Sequence, residues 1–275
     1  MSFRFERKYV GKVKLIITDL AGTTVDYGSC APAGAFIEMF QRQGVRVTDA
    51  QARGPMGMHK RDHIATMVAM PAIAQGWRDA HNGADCTEAD IDRMYEEFIP
   101  IQLEALPNYG RAIPGVIETL RNWRRDGYKV VATTGYNNEM MRVVVDGATR
   151  QGMEFDLALC GGDVPKGRPA PWMIFRAMEA LNIYPAEAVV KIGDTIADID
   201  SGLNAGAWTI GVAKTGNMLG LPQVDVARMS PDELSGRLED AYAKMYQAGA
   251  HFVVDGVEDC PAIIDRINAS QCGAC

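Results

Sequence analysis

No apolar run in this 275-residue chain reaches the roughly 20 residues that a helix needs to cross a bilayer. The start of the chain, Arg4 to Lys14, is basic but is not followed by an apolar region with a small-residue cleavage site, so no signal peptide is expected. Basic residues are in deficit, 28 Lys and Arg against 35 Asp and Glu, for a net charge of −7. That balance argues against nucleic acid or an acidic membrane surface as partner. It leaves an anionic small substrate open, because a site can be locally positive. The six cysteines lie scattered at 30, 86, 160, 260, 272 and 275, which is no disulfide framework for a chain of this length. A reduced, cytoplasmic protein is expected. Cys272 and Cys275 form a C-x-x-C at the extreme terminus with no second pair, and read as a frayed tail rather than a zinc or redox site. Internal repeats and low-complexity segments are missing as well.

What is present is a 47% apolar chain long enough for one α/β domain and a smaller one. Val13 to Thr18, Lys129 to Thr133, Val189 to Ile192 and Thr209 to Val212 are short β-rich runs, each opening into a loop. Helical patterns separate them at Val116 to Arg125, Asn138 to Arg150, Trp172 to Leu181 and Ile199 to Asn204. Strand, loop and helix in repetition predict a Rossmann-like parallel sheet with helices on both faces. Ligands bind such sheets beyond the carboxyl ends of the strands. Residues 28–106 carry no convincing strand. Ala31 to Gln43 reads as a helix stopped at Gly44, and Thr87-Glu88-Ala89-Asp90 as a capping-box start to a helix bearing Ile91, Met94, Tyr95 and Phe98. The expectation is an α/β core of residues 1–27 and 107–275, with a helical cap domain of residues 28–106 inserted after the first strand. Turn-rich hinges are expected near Asp26–Gly28 and Leu106–Gly110. A further helix begun at Ser230 and a strand at His251 to Val254 complete the C-terminal part.

Four segments point to phosphoryl transfer. Asp19 stands where a buried strand meets a Gly-containing loop, and a carboxylate there can attack phosphorus. Thr133-Thr134-Gly135 ends the second strand. Thr134 is the favoured phosphoryl-oxygen ligand, because Gly135 allows close backbone approach. Arg168, between Gly167 and Pro169, is favoured over Lys166 to neutralise phosphate. Asp194 and Asp198 flank a strand-to-helix turn and, with Asp19, make an oxygen-rich site suited to Mg²⁺. Asp194 is the expected direct ligand and Asp198 a supporting residue. Enzymes that cleave phosphate esters must protonate a departing alkoxide, and a second Asp two residues after the first can do so. Here that position is Ala21, which offers a metal only its backbone carbonyl. Lys60, in Pro55-Met56-Gly57-Met58-His59-Lys60, supplies another way: its amine can condense with an aldehyde, and the imine nitrogen then drains electrons from a breaking C–P bond. A solvated surface lysine is the plainer reading of Lys60 taken alone. His63, three residues on, would share a helical face with it and could relay protons.

This set of motifs resembles the haloacid dehalogenase superfamily and, within it, the phosphonatase family. Ala21 together with Lys60 in its Pro-Met-Gly context singles out the latter. The resemblance implies Mg²⁺ on Asp19, the Ala21 carbonyl and Asp194. It implies an imine at Lys60, phosphoryl capture by Asp19, and release of phosphate and acetaldehyde from phosphonoacetaldehyde. It also implies Met56 and His63 near Lys60, Arg168 near the phosphonate, and homodimers paired through the cap. The family often has Cys directly after the Tyr-Gly of the first loop; this chain has Ser29 there, then Cys30. His59 and Lys166 add charge near two of the motifs without an assigned task. The alternative is a phosphatase or phosphomutase of the same superfamily acting on a phosphate monoester, against which Ala21 speaks.

Overall fold

The computed structural model describes residues 9–272. Six parallel strands form one sheet: β1 Leu15–Asp19, β2 Lys129–Thr134, β3 Leu157–Cys160, β4 Val189–Gly193, β5 Trp208–Val212 and β6 Phe252–Val254. Their spatial order is β3-β2-β1-β4-β5-β6. β1 is therefore central, and every residue of it is buried. Such a strand needs apolar side chains on both faces, which Leu15-Ile16-Ile17 supplies. One face is covered by the large core cluster that includes Ile16 and Val130, the other by a cluster around Leu15, Ile17 and Met173.

Between β1 and β2 lie α1 Cys30–Arg42, α2 Asp49–Arg53, α3 Lys60–Val68, α4 Pro71–Ala80, α5 Glu88–Tyr109 and α6 Val116–Arg125. The rest of the helices are α7 Asn138–Arg150, α8 Trp172–Ala180, α9 Ile196–Ala205, α10 Gln223–Val226, α11 Pro231–Gln247 and α12 Cys260–Cys272. The first five helices form an all-helical insert whose apolar side chains are continuous with the cluster on the Ile16 face of the sheet. Phe36 stacks on Phe98 at 4.4 Å between centroids, and Met39, Met67, Trp77 and Met94 close around them. Burial of side chains this large stabilises by about 1.5–3 kcal/mol each. Ile91, Met94 and Phe98 of α5 thus face inward, so the apolar stripe read from the sequence is internal core. The capping box at Thr87 is present, with Thr87 and Asp90 exchanging hydrogen bonds.

Asp26 and Ser29 sit in the left-handed region beside Gly28, so the chain turns sharply as it leaves the first loop. The Asp26 carboxylate accepts the N–H groups of Cys30 and Ala31 and starts α1. The return crossing differs from expectation. α5 runs unbroken to Tyr109 with Pro100 and Pro107 inside it, because burial of Ile101 and Leu106 holds the helix where proline removes a hydrogen bond. The chain then pairs Ala112 against Val25, so both crossings lie side by side.

Candidate active site

The parallel register sets the site. Asp19 at the end of β1 lies opposite Thr133 of β2, and Thr18 lies opposite Ile192 of β4, two residues before Asp194. The named strand-end residues therefore emerge at one edge. Thr23 Oγ1 donates to Asp194 Oδ1 at 2.9 Å and the Asn217 N–H donates to Oδ2 at 2.8 Å. Carboxylate oxygens of Asp19, Asp194 and Asp198 all lie within 4.8 Å of one another. This all-oxygen donor set, buried and collectively anionic, fits a hard divalent cation. Burial, reinforced by Asp19 and Asp198, pushes the Asp194 carboxyl well above its ordinary range. Burial raises Asp19 as well, with Arg168 working against it. Asp198 behaves differently. Burial would raise it, but the Arg168 guanidinium and the Lys191 ammonium, 2.7 Å away, hold it below the usual range. Thr195 Oγ1 donates to its other oxygen at 2.6 Å. Asp198 thus has its charge matched by two cations, whereas Asp19 meets only Arg168 and Asp194 has no cation within ion-pair distance among the described residues.

Arg168 is 3% exposed and also reaches Asp19, Nη2 to Oδ1 at 3.1 Å, while its rival Lys166 is exposed. The two threonines separate in the same way. Thr133 Oγ1 donates to the Thr18 carbonyl at 3.3 Å, whereas Thr134 Oγ1 accepts from the Tyr136 N–H at 3.2 Å and keeps its own proton for another partner. Lys191 escaped the sequence reading. A lysine in a strand covered on both faces must find an anion, and that requirement was the available signal.

The insert brings Lys60 to the same place. Asp19, Ala21, Ser29, Met56, Lys60 and Arg168 are among the residues around one small cavity of about 20 Å³, with Thr134, Gly135 and Tyr136. Approach is close because side chains are missing where the two layers meet. A Cβ on Gly135 would lie 2.5 Å from the Met58 carbonyl oxygen, and one on Gly57 2.2 Å from Thr195 Oγ1. Lys60 opens α3, is 3% exposed, and directs its ammonium toward the rings of Tyr136 at 5.2 Å and Phe36 at 5.3 Å. Burial pulls its pKa down to about 7, against the attraction of Asp19. A lysine that is half neutral near pH 7 is a nucleophile. Phe36 and Tyr136, which supply this setting, were not singled out from sequence.

His63 is fully buried on the insert side of Phe36, stacked on that ring at 3.8 Å, and is not among the residues around the cavity. Its Nε2 donates to the Ala52 carbonyl at 2.9 Å, which leaves Nδ1 a bare acceptor without a partner. Burial, then the Lys60 charge, holds its pKa well below the ordinary value. His59 lies over Gly161 and Gly167 of the sheet edge and tilts against Tyr95. Cys272 is exposed, and Cys275 lies outside the described residues.

A family model described as haloacid dehalogenase-like hydrolase matches residues 13–206. A curated protein of Paraburkholderia phytofirmans, "Phosphonoacetaldehyde hydrolase", is 43% identical over 94% of this chain and 96% of its own. A "Phosphonoacetaldehyde hydrolase-like protein" of Syntrophobacter fumaroxidans is 42% identical over 98% of each. Among solved structures, the phosphonoacetaldehyde hydrolase-like protein of Oleispira antarctica superposes with a TM-score of 0.95 at 35% identity, covering 100% of this chain and 99% of that one. With the strand-end carboxylates, the inserted helices and these matches agreeing along the chain, it belongs to the haloacid dehalogenase-like hydrolases and, within them, to the phosphonoacetaldehyde hydrolase family.

Proposed function

We propose that this protein hydrolyses the C–P bond of phosphonoacetaldehyde to acetaldehyde and phosphate. The observation that carries the reading is a buried, partly neutral Lys60 sharing one cavity with Asp19, where Ala21 takes the place of an acid. The Lys60 amine adds to the aldehyde carbon, and loss of water leaves a protonated imine. The C–P electrons move into that nitrogen and give an enamine, while a carboxylate oxygen of Asp19 bonds to phosphorus. Water then cleaves the aspartyl-phosphate to free phosphate and Asp19. Protonation of the enamine carbon and hydrolysis of the imine release acetaldehyde and restore Lys60. No alkoxide departs, so no acid is required at position 21.

Thr134 donates its hydroxyl hydrogen to a phosphonate oxygen, with the Gly135 backbone beside it, and Arg168 neutralises the charge that gathers on phosphorus. Met56 walls the aldehyde side of the cavity. Mg²⁺, held by Asp19, the Ala21 carbonyl and Asp194, would supply charge neutralisation that lets an anionic carboxylate approach an anionic phosphonate. Asp198 supports the site by fixing Arg168. His63, expected from its spacing to relay protons, acts in this geometry through its stack on Phe36 rather than at the reacting atoms. Residues 28–106, extended to the end of α5 at Tyr109, serve as the cap over the sheet-bearing core.

The cap must part from the sheet to admit a substrate larger than 20 Å³. A homodimer through the cap rests on the resemblance alone, and sedimentation tests it. A cytoplasmic setting is supported by five free cysteines among the described residues. No helix among those residues is long and apolar enough to cross a membrane. The test of function is steady-state phosphate release from phosphonoacetaldehyde beside a panel of phosphate monoesters. The reading expects turnover of the phosphonate and little of the esters, and the reverse preference would replace it with a phosphatase.

A further inference from the structure

The loop leaving β5, Ala213 to Leu221, bonds to the first loop, to the hinge, to the insert and to a metal-site carboxylate. Thr215 Oγ1 donates to the Gly22 carbonyl at 3.1 Å, three residues from Asp19. The Gly28 N–H donates to the Thr215 carbonyl at 2.7 Å. Asn217 reaches two ways: its backbone N–H holds Asp194 Oδ2 at 2.8 Å, and its side chain meets Arg53 at the end of α2. Asn217 Nδ2 donates to the Arg53 carbonyl at 3.2 Å, and Arg53 Nη1 donates back to Asn217 Oδ1 at 3.3 Å. The same guanidinium nitrogen donates to the hinge carbonyls of Gly28 at 2.8 Å and Ser29 at 3.3 Å, while Nε pairs with Asp49 at 2.7 Å. The loop is shaped to receive this side chain: Gly220 has φ +68, and a Cβ there would lie 2.8 Å from Arg53 Nε.

We propose that Arg53 and Asn217 are a pair of positioning residues that couples the seating of the cap to the geometry of the metal-site carboxylates. Neither lines the cavity. Arg53 is two residues ahead of Pro55-Met56-Gly57 and seven ahead of Lys60 on a short connection, so its anchor point fixes where the amine stands. Asn217 is joined through its own backbone to the peptide that aims Asp194. A displacement of α2 by an ångström breaks the paired bonds and releases that peptide; conversely, a cation that orders Asp194 orders the cap-side contact. Thermodynamic linkage makes the two effects equal and opposite views of one coupling. The guanidinium is required for its planar fork, which serves several acceptors at once. A lysine ammonium in that place keeps the charge and loses the fan.

The inference rests on the metal reading above, and its test separates the two. Mg²⁺ affinity of the substrate-free full chain is measured by calorimetry for the unaltered protein, Arg53→Lys, Asn217→Ala and the double variant. Backbone hydrogen exchange of residues 55–60 is followed in the same samples. Removal of a hydrogen-bond partner directly behind a metal ligand weakens affinity by about 10–100-fold; the Arg53–Asn217 side-chain link stands one contact further back, so a loss at the low end, about tenfold, is expected. Each single variant is expected to show that loss and faster exchange, with the double variant within about twofold of the weaker single, because both substitutions interrupt the same link between the residue-53 and residue-217 side chains. Unchanged Mg²⁺ affinity in both singles, or losses that multiply in the double, would overturn the coupling. If Asn217→Ala does not fold, Arg53→Lys decides, since it preserves charge and most of the volume. Failure of the unaltered protein to bind Mg²⁺ would instead fault the metal assignment.

Discussion

On the sheet side of the cavity two buried cations, Arg168 and Lys191, are each matched to a carboxylate. On the insert side Lys60 is as deeply buried, but it faces two aromatic rings and has no ion-pair partner among the described residues. Burial is the same; the outcome is opposite. Pairing keeps Arg168 charged and holds Asp198 down, whereas burial without an ion-pair partner drives Lys60 toward the neutral amine. A charged wall suits phosphonate, and a wall that sheds charge suits an aldehyde. Breaking each wall in turn should therefore stop different steps.

The largest expected effect is at Asp19. Asp19→Ala should lose at least about 10⁴-fold in phosphate release, as removal of a nucleophile does, while still forming the Lys60 imine with the aldehyde. Loss of imine formation as well would mean that the walls do not act separately. Lys60→Arg should lose C–P cleavage to a similar extent, since arginine does not deprotonate to become a nucleophile; a turnover assay showing retained activity would break the comparison from the other side. Removal of divalent metal by a chelator should abolish phosphate release and be reversed by Mg²⁺, which a stopped assay reads directly.

Smaller effects sharpen the same contrast. Phe36→Ala should cost about 3–5 kcal/mol in denaturant unfolding, because it removes a fully buried ring stacked on both Phe98 and His63. The pH dependence has a definite sign. Below a Lys60 pKa of about 7, the rate of imine formation should rise nearly tenfold per pH unit and level off above about 8. The unfolded chain keeps that proton up to about pH 10.4 while the fold releases it near 7, so this group makes stability rise with pH between those values. Lys60→Met should accordingly raise the melting temperature at pH 6 while abolishing turnover, and an unchanged or lowered melting temperature would show that the charge is not costly where it lies.

Much of the sheet wall was legible because local sequence and register say the same thing. β1, β2 and β4 are β-branched runs that end in Asp19, Thr134 and Gly193-Asp194, and parallel pairing alone places those ends together. β3 was missed because Leu157-Ala158-Leu159-Cys160 has no β-branched or aromatic residue and is too short to show a period. Lys60 was legible as a motif and not as an environment. Its pKa depends on Phe36 and Tyr136, which lie 24 residues before it and 76 after it, and only packing unites them. His63 shows the limit of spacing. Three residues along α3 put it near Lys60, but the ring turned into the insert rather than toward the cavity. Arg53 and Asn217 carried no pattern at all, since what joins them is contact across 164 residues of sequence.

The most direct measurement is reductive trapping. Borohydride added to the protein with phosphonoacetaldehyde, followed by peptide mass mapping, should find the added mass at Lys60 in the unaltered protein and in Asp19→Ala, and none there in Lys60→Arg. Modification at another residue, or none under conditions where phosphate is released, would contradict an amine that carries the electrons of the breaking C–P bond.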